Sequence, residues 1–273
     1  MESVFLKGRG TCFAVAMALV LATAGCATPP PAGDPEAMAE FIALNDPIEP
    51  ANRALFDVHQ VIDDFVLIPA ATAYRTVVPE APRRGIHNAL NNLREPVFLA
   101  NDLLQGEFVQ ASIAFTRFCV NSTVGLLGLF DVAAELGLPR HKEDFGQTLA
   151  VWGMGEGPYV FLPVVGPSNP RDIVGRLVDV VMDPFFWVAR ATDHEELQSV
   201  QLGLTILDER TQLLDTLEDV RRTSVDYYAR LREMYRQRRD KQIHNSGSAS
   251  PYVSISVTVS DTASTVTQQE LSR

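Results

Sequence analysis

Two apolar segments, one at the middle of the chain and one after it, limit which folds the chain can adopt. They read VGLLGLFDVAAELGL (residues 124–138) and LVDVVMDPFFWVA (residues 177–189), and each carries few charges for its length. Neither reaches the roughly 18 uninterrupted apolar residues that a membrane-spanning helix needs. Two interpretations stay open for each: a core helix, or a helix in the plane of a membrane with Phe185, Phe186 and Trp187 at the interface.

The remainder of the body has helical periodicity. Apolar residues recur every three or four positions between residues 82 and 121, and leucines follow one side of one long helix or two over residues 195–243. Pro96 and Gly106 indicate helix boundaries. Strand signals are sparse, so the sequence predicts an all-α fold.

The N-terminus has the organisation of a secretory signal. A short basic region containing Lys7 and Arg9 precedes an apolar run over residues 12–24, which is too short to span a bilayer comfortably. Small residues then lead directly into Cys26. This pattern resembles a bacterial lipobox, in which Cys26 is lipidated and becomes the mature N-terminus; the alternative is ordinary secretion with a chance cysteine.

Cysteine usage agrees with lipidation. Of the three cysteines, Cys12 would leave with the signal and Cys26 would carry lipid, so Cys119 would have no partner for a disulfide. Beside Phe115 and Phe118, Cys119 is predicted to be a buried small hydrophobe.

Composition divides the chain into four parts. Residues 1–25 form the predicted signal peptide, and residues 26–44 form the lipidated N-terminus with a flexible, proline-rich linker. Residues 45–243 form the predicted helical domain. Residues 244–273 form a Ser/Thr-rich tail that is expected to be disordered.

Charge is distributed unevenly along the chain. The formal net charge is −11, which argues against nucleic acid as a partner. Residues 221–241 are nevertheless strongly basic. This segment is either a solvated face near a helix end or a site that docks on anionic headgroups or an acidic partner.

Motifs for catalysis are incomplete. His194 begins HEELQ without the second histidine of a zinc motif, no CxxC pair exists, and Ser168 in GPSNP lacks the last glycine of a nucleophile elbow. The adjacent pairs Asp63–Asp64 and Glu143–Asp144 are predicted to be solvated. We therefore predict no enzyme activity, no cofactor and no metal.

The most glycine-rich segment is FGQTLAVWGMGEGPYVFLPVVGPSNPRD, residues 145–172. It lacks the GK[ST] ending of a phosphate-binding loop and the strand and helix that a dinucleotide motif requires. Its glycines and prolines instead predict a run of tight turns.

Four segments in this order resemble the MlaA/VacJ family of outer-membrane lipoproteins. They are NDPIEPANRALFDVH (45–59), YRTVVPEAPRRGIHNALNNLREPVFLANDLLQG (74–106), RFCVNSTVGLLGLFDVA (117–133) and DFGQTLAVWGMGEGPYVFLPVVGPSNPRD (144–172). The likeness covers about residues 45–183 and thins beyond them.

The resemblance implies a single ring-shaped helical domain in the inner leaflet of the outer membrane, on its periplasmic side. Its polar channel would accept phospholipids that have strayed into the outer leaflet and pass them to a periplasmic lipid-carrier protein, with a trimeric porin as companion. No bound cofactor or covalent chemistry is implied. The alternatives are a lipid-cleaving enzyme and a structural lipoprotein that tethers envelope layers.

The resemblance also suggests roles for particular residues. A buried polar network that holds the first helix against the ring is expected from Asp46, Glu49, Asn52 and Arg53, with Arg171 and Asp172 pairing similarly. The glycine-rich segment would form the wall or lip of the channel through Trp152, Gly153, Gly155, Gly157, Pro158 and Tyr159.

Overall fold

The computed structural model describes residues 34–245; the predicted signal peptide, Cys26 and nearly all of the C-terminal tail lie outside this range. The described part is mainly helical, so the all-α prediction is confirmed. A π-helical turn, Asp63–Leu67, joins the helix that ends at Ile62 to the helix that begins at Ile68. The elements are α1 (Pro35–Leu44), α2 (Glu49–Ile62), α3 (Ile68–Val77), α4 (Glu80–Gln105), α5 (Phe108–Thr123), α6 (Val132–Glu135), α7 (Phe145–Val151), β1 (Val160–Leu162), β2 (Gly166–Ser168), α8 (Pro170–Met182), α9 (Pro184–Ala191), α10 (Glu196–Thr223) and α11 (Tyr227–Asn245).

Helix α4 is the longest helix of the first half, and it packs along α5. It ends at Gly106, whose φ of 82° is the left-handed conformation that glycine adopts at a helix end. The boundary predicted at Gly106 is confirmed, whereas the boundary at Pro96 is wrong. Pro96 lies inside α4, and burial of the following Val97 and Phe98 compensates for the backbone hydrogen bond that proline cannot donate.

The apolar segment 124–138 is not a continuous helix, so the core-helix interpretation of it is wrong. After α5 the chain turns through Leu126, Leu127 and Gly128 with φ values of 51°, 58° and 87° before the short α6. Glycine is required at 128 because an added Cβ would lie 2.4 Å from the Cβ of Asn92. The turn leaves the side chain of Leu127 exposed.

The second apolar segment, residues 177–189, is divided between α8 and α9. Asp183 ends α8 and caps α9, because its carboxylate accepts a hydrogen bond from the backbone N–H of Phe185 at 2.9 Å. The core-helix interpretation is wrong for the outward face of both helices. That face exposes Leu177, Val180, Val181, Trp187 and Val188.

The glycine-rich segment contains more regular structure than the predicted run of turns. It begins as α7 and ends in a hairpin, where β1 pairs antiparallel with β2 and Val160 lies opposite Ser168. Only the connections between these elements are turns. The hairpin carries Phe161 into a small aromatic core, where its ring packs edge-to-face against Phe56 of α2 at 5.2 Å.

Helix α5 shows how the body distributes its side chains. Ala111, Ala114 and Arg117 are buried on one face, at the spacing of a helix stripe. The other face exposes Phe115 and Cys119. The prediction of a buried Cys119 is therefore wrong, since small and polar residues occupy the inward face of α5.

Over the described residues the usual distribution of side chains is reversed, as it is on α5. Charged and amide side chains fill much of the interior, and many large apolar side chains are exposed. Within residues 34–245, no helix combines the length and apolar character that crossing a membrane requires.

Helices α7 and α8 approach so closely that glycine is required at the contact. A Cβ added to Gly175 would lie 2.3 Å from the backbone nitrogen of Gly146. We expect Gly175→Ala to lower the free energy of unfolding by about 1–3 kcal/mol, the usual cost of overpacking. The matched control is Gly203→Ala in α10, where nothing lies within 4 Å; removing a flexible glycine there should stabilise by about 0.5–1 kcal/mol. Urea unfolding in detergent measures both, and equal effects would contradict the packing analysis.

Candidate functional site

One face of the C-terminal helix α11 closes the polar interior. Tyr228, Arg232, Tyr235 and Arg239 follow each other at spacings of four, three and four residues, which places them on one side of a helix. Arg232 is 5% exposed and Arg239 is 7% exposed. The solvated-face interpretation of the basic segment is therefore wrong for these two arginines.

Arg232 forms the first contact between α11 and the N-terminal half, which we call the Asp46 clamp. Its Nη1 lies 2.7 Å from Oδ2 of Asp46, and the Tyr228 hydroxyl donates to the same carboxylate oxygen. Asn52 donates to Oδ1 of Asp46 at 2.7 Å and to the carbonyl of Tyr159 at 3.0 Å. The clamp thus joins the start of α2, the hairpin and α11 through fully enclosed polar groups.

Glu49 and Arg53 lie at the edge of this clamp. Arg53 Nε is 2.7 Å from Glu49, and Arg53 Nη2 is 2.6 Å from Asp226 just before α11. The Arg53 side chain remains 41% exposed, and its guanidinium stacks 4.5 Å above the ring of Tyr228. The structure therefore brings the four predicted N-terminal residues together, with Asp46 and Asn52 enclosed and the other two at the surface.

Arg239 forms a second contact, the Asp144 clamp. Its two terminal nitrogens each lie 2.6 Å from an oxygen of Asp144, and Nη2 also donates to Asp172 at 3.0 Å. Tyr235 donates to Asp172 at 2.6 Å, and Arg171 Nε lies 3.3 Å from the same residue. Arg171 and Asp172 are thus adjacent, but the shorter contacts of Asp172 are with α11.

The Asp144 clamp also fixes two helix starts. Asp144 accepts from the backbone N–H of Gln147 at the start of α7, and Asn169 accepts from that of Asp172 at the start of α8. Burial would raise the pKa of Asp144, but the bonds from Arg239 and Gln147 hold it below its usual value. Asp144 therefore stays ionised although it is partly buried.

A third polar group surrounds Glu143, between α4 and α7. Gln105 donates to Glu143 at 3.0 Å, and His141 lies 2.8 Å from Asp102. Burial raises the pKa of Glu143 to about 7, and burial raises the pKa of Asp179 nearby to about 6. The prediction that the Glu143–Asp144 pair is solvated is wrong, because both carboxylates point into the interior.

The apolar turns after α5 are tied down by Arg117. This side chain is fully enclosed and lies 3.0 Å from both Glu95 and Asp131, while its Nη1 donates to the carbonyl of Leu138 at 2.6 Å.

Asp63, predicted to be solvated, is likewise buried and is bound by Arg210 through both oxygens. No signal in the sequence indicated Arg117 or Arg210, because the carboxylates that bind them lie on other helices or turns of the chain.

The residues predicted for a channel lip have two different environments. Trp152 is 56% exposed and donates to the carbonyl of Leu104 at 3.1 Å. Gly153 and Gly157 adopt positive φ values of 90° and 71°, and an added Cβ would meet nothing within 4 Å at Gly155. Pro158 is half-buried.

Tyr159 is the exception among these residues. Its side chain is 3% exposed, and its ring packs between those of Tyr228 and Tyr235 at 6.1 Å from each. The Tyr159 side chain therefore does not lie at a surface, because β1 turns it toward α11. Among residues 34–245, no group of three or more histidine, cysteine, aspartate or glutamate side chains could hold a metal ion.

The Asp46 clamp predicts a strong effect of a single charge removal. Arg232→Gln leaves the enclosed carboxylate of Asp46 without its cation, which should cost about 3–5 kcal/mol of unfolding free energy. Arg230→Gln, two positions earlier on the exposed side of the same helix, is the matched control and should change it by less than about 0.5 kcal/mol. Urea unfolding in detergent compares them; similar stabilities would show that the clamp does not hold α11.

Glu143 predicts a pH dependence of stability. Its pKa is about 7 in the fold against a usual value of 4.5, so the folded chain holds a proton that the unfolded chain has lost. Stability should therefore fall as the pH rises from about 4.5 to about 7. Between pH 5 and pH 8 the wild-type protein should lose on the order of 3 kcal/mol of unfolding free energy through this carboxyl group, and Glu143→Gln should not show this loss.

The control for this measurement is Glu135→Gln on the exposed end of α6, which should keep the wild-type pH slope. Urea unfolding at both pH values gives the slopes. A Glu143→Gln protein with the wild-type slope would contradict the burial assigned to this carboxyl.

Comparison with known proteins identifies the family. A model of the MlaA lipoprotein family matches residues 44–242. "Intermembrane phospholipid transport system lipoprotein MlaA" of Shigella flexneri is 35% identical over 211 residues, covering 76% of this chain and 81% of that protein. The protein of the same name in Haemophilus influenzae is 35% identical over 199 residues, covering 71% and 77%. A solved structure described as "Structural basis for maintenance of bacterial outer membrane lipid asymmetry" has a TM-score of 0.64 at 36% identity and covers 72% of this chain and 98% of its own. The chain therefore belongs to the MlaA lipoprotein family.

Proposed function

We propose that this protein is the outer-membrane lipoprotein of an intermembrane phospholipid transport system. It would remove phospholipids from the outer leaflet of the outer membrane through a polar passage and so maintain lipid asymmetry. The names of its relatives support this assignment, since they belong to phospholipid transport and to outer-membrane lipid asymmetry.

One observation about the fold carries the proposal: the interior is polar and the outside is apolar. Enclosed residues such as Glu95, Arg117 and Asp172 are charged, whereas Phe65, Leu127 and Phe108 are each more than two-thirds exposed. A protein surrounded by water has the opposite preference. Apolar side chains in this number on the outside suit contact with acyl chains.

The physical task explains this distribution. A phospholipid headgroup carries charge, and moving it through hydrocarbon without partners is very costly. A ring that offers polar groups on its inside lowers this barrier while the acyl chains stay in lipid. We propose that the domain forms such a ring, lying in the inner leaflet with its apolar side chains outward.

The glycine-rich segment would form the lip of the passage. Gly153, Gly155 and Gly157 have no side chain, so the backbone there could approach a passing headgroup closely. Trp152 would lie at the interface, where an exposed aromatic ring with a polar N–H is favourable. A trimeric porin beside the ring and a periplasmic lipid carrier below it are the partners we propose from the family resemblance. No covalent step is part of this proposal.

A structural tether between envelope layers is the alternative function. A tether needs only a lipid anchor and a water-soluble binding face. The exposed leucines and phenylalanines after α5 count against it, since Leu126, Leu127 and Phe130 have no role on such a face.

Extraction of an unlipidated protein separates the two functions. In Cys26→Ala the predicted lipid is missing, yet we expect the protein still to need detergent for release from membranes because of its apolar surface. The matched control adds Leu126→Asn and Leu127→Asn, since asparagine tolerates positive φ and should keep the turn. When membranes are washed with carbonate, a larger fraction of the control protein should be released than of Cys26→Ala. Complete release of Cys26→Ala itself by this wash would favour the tether.

The transport function is tested by the amount of phospholipid exposed in the outer leaflet of cells. Cells that lack the protein should accumulate exposed phospholipid, and complementation with the wild-type chain should reverse this. Lipid A modification by an outer-membrane acyltransferase that uses exposed phospholipid, compared across deletion, complemented and vector-only cells, provides the readout. Equal values in all three would overturn the proposed function.

A further inference from the structure

The exposed face of α11 differs from the face that carries the clamps. Arg230, Met234, Gln237, Arg238 and Lys241 follow each other at helical spacing and, with Gln242, line an open groove of about 510 Å³. This stripe is displaced by two residues from the clamp residues, which corresponds to about 200° around a helix. The basic segment therefore has two opposite faces, and the clamps account for only one of them.

The cations of this groove lack the partners that the clamp arginines have. Among residues 34–245, no carboxylate lies within 4.0 Å of a charged nitrogen of Arg230, Arg238 or Lys241. The acids of the same helix bind other side chains: Glu233 accepts from the groove residue Gln237 at 2.6 Å, and Asp240 lies 3.1 Å from His244. A chain with a net charge of −11 thus keeps a locally positive groove.

Neighbouring elements add positive charge beside Arg238. Partial desolvation lowers the pKa of Lys142, and the nearby carboxylate of Glu209 acts in the opposite direction. The guanidiniums of Arg94 and Arg238 lower this pKa further, which shows that both cations are near Lys142. Arg94 is held 3.6 Å from Glu209, which neutralises part of this charge. Lys142, in the loop before α7, therefore adds a positive charge near Arg238.

We propose that this groove binds the phosphate of an anionic phospholipid headgroup. The inference rests on the proposed function, because it assigns a headgroup contact to a protein that handles phospholipids. Arg238 and Lys241 are one helical turn apart and can hold the phosphate oxygens together, with the arginine fork donating two parallel bonds. Met234 lies between them and Arg230 along the stripe and offers an apolar contact to the glycerol.

The size of the groove favours a headgroup over a protein. The groove is open and is lined by side chains of a single helix, which suits contact with one phosphate group. A stable protein interface needs about 800 Å² from each partner, which far exceeds the side chains of one helix stripe.

The test measures binding of short-chain lipids to the purified full-length chain in neutral detergent. Dioctanoyl phosphatidylglycerol is the anionic probe, dioctanoyl phosphatidylcholine is the zwitterionic probe, and inorganic phosphate is the competitor. The variant R238Q/K241Q should weaken phosphatidylglycerol binding about 30-fold, since each cation near an anionic lipid contributes about a fivefold effect. The control R190Q/R222Q removes the same charge from exposed positions outside the groove and should change binding less than about twofold.

Two results would overturn the inference. The first is equal binding by R238Q/K241Q and R190Q/R222Q, which would mean that the groove does not contact the headgroup. The second is inorganic phosphate that binds as tightly as phosphatidylglycerol with the same loss in R238Q/K241Q, which would indicate a free-phosphate site. A failure here is distinct from failure of the proposed function, because R238Q/K241Q would then still restore lipid asymmetry in cells.

Discussion

Buried charges that must be paired are the constraint on which the rest of this structure depends. An ionised side chain taken out of water without a partner is strongly destabilising. Arg232 and Arg239 of α11 are enclosed, and their partners Asp46 and Asp144 lie more than 90 residues earlier in the chain. The C-terminal helix can therefore close the fold only in one register, with both clamps formed.

The clamps allow the chain to dispense with a large apolar core. The aromatic cluster around Phe56 and Phe161 is small, and polar networks from α4 to α8 occupy much of the remaining interior. Apolar side chains are consequently available for the outside, where a membrane would solvate them. The same polar interior would offer hydrogen-bond and ionic partners to a headgroup. The residues that stabilise the fold would therefore also serve the proposed transport function.

The sequence predicted those features that depend on local patterns. Helical periodicity gave the all-α fold, and Gly106 ended a helix where expected because only its own backbone angles matter there. Predictions failed where distant residues decide the outcome: Pro96 is accommodated inside α4, where the following Val97 and Phe98 are buried, and the Tyr159 ring packs against Tyr228 of α11. Of the polar network, the residues around Asp46 were expected from the family resemblance, but the cation on α11 that pairs with Asp46 was not, since nothing local in the sequence links them.

The coupling energy between Asp144 and Arg239 tests the central claim most directly. The variants D144N, R239Q and D144N/R239Q form a double-mutant cycle, in which asparagine keeps the helix cap of α7 while the charge is lost. The clamp predicts a coupling of at least about 2 kcal/mol in unfolding free energy, as for close buried charge pairs. A coupling below about 0.5 kcal/mol would mean that α11 is held by packing alone and that the paired charges do not close the fold.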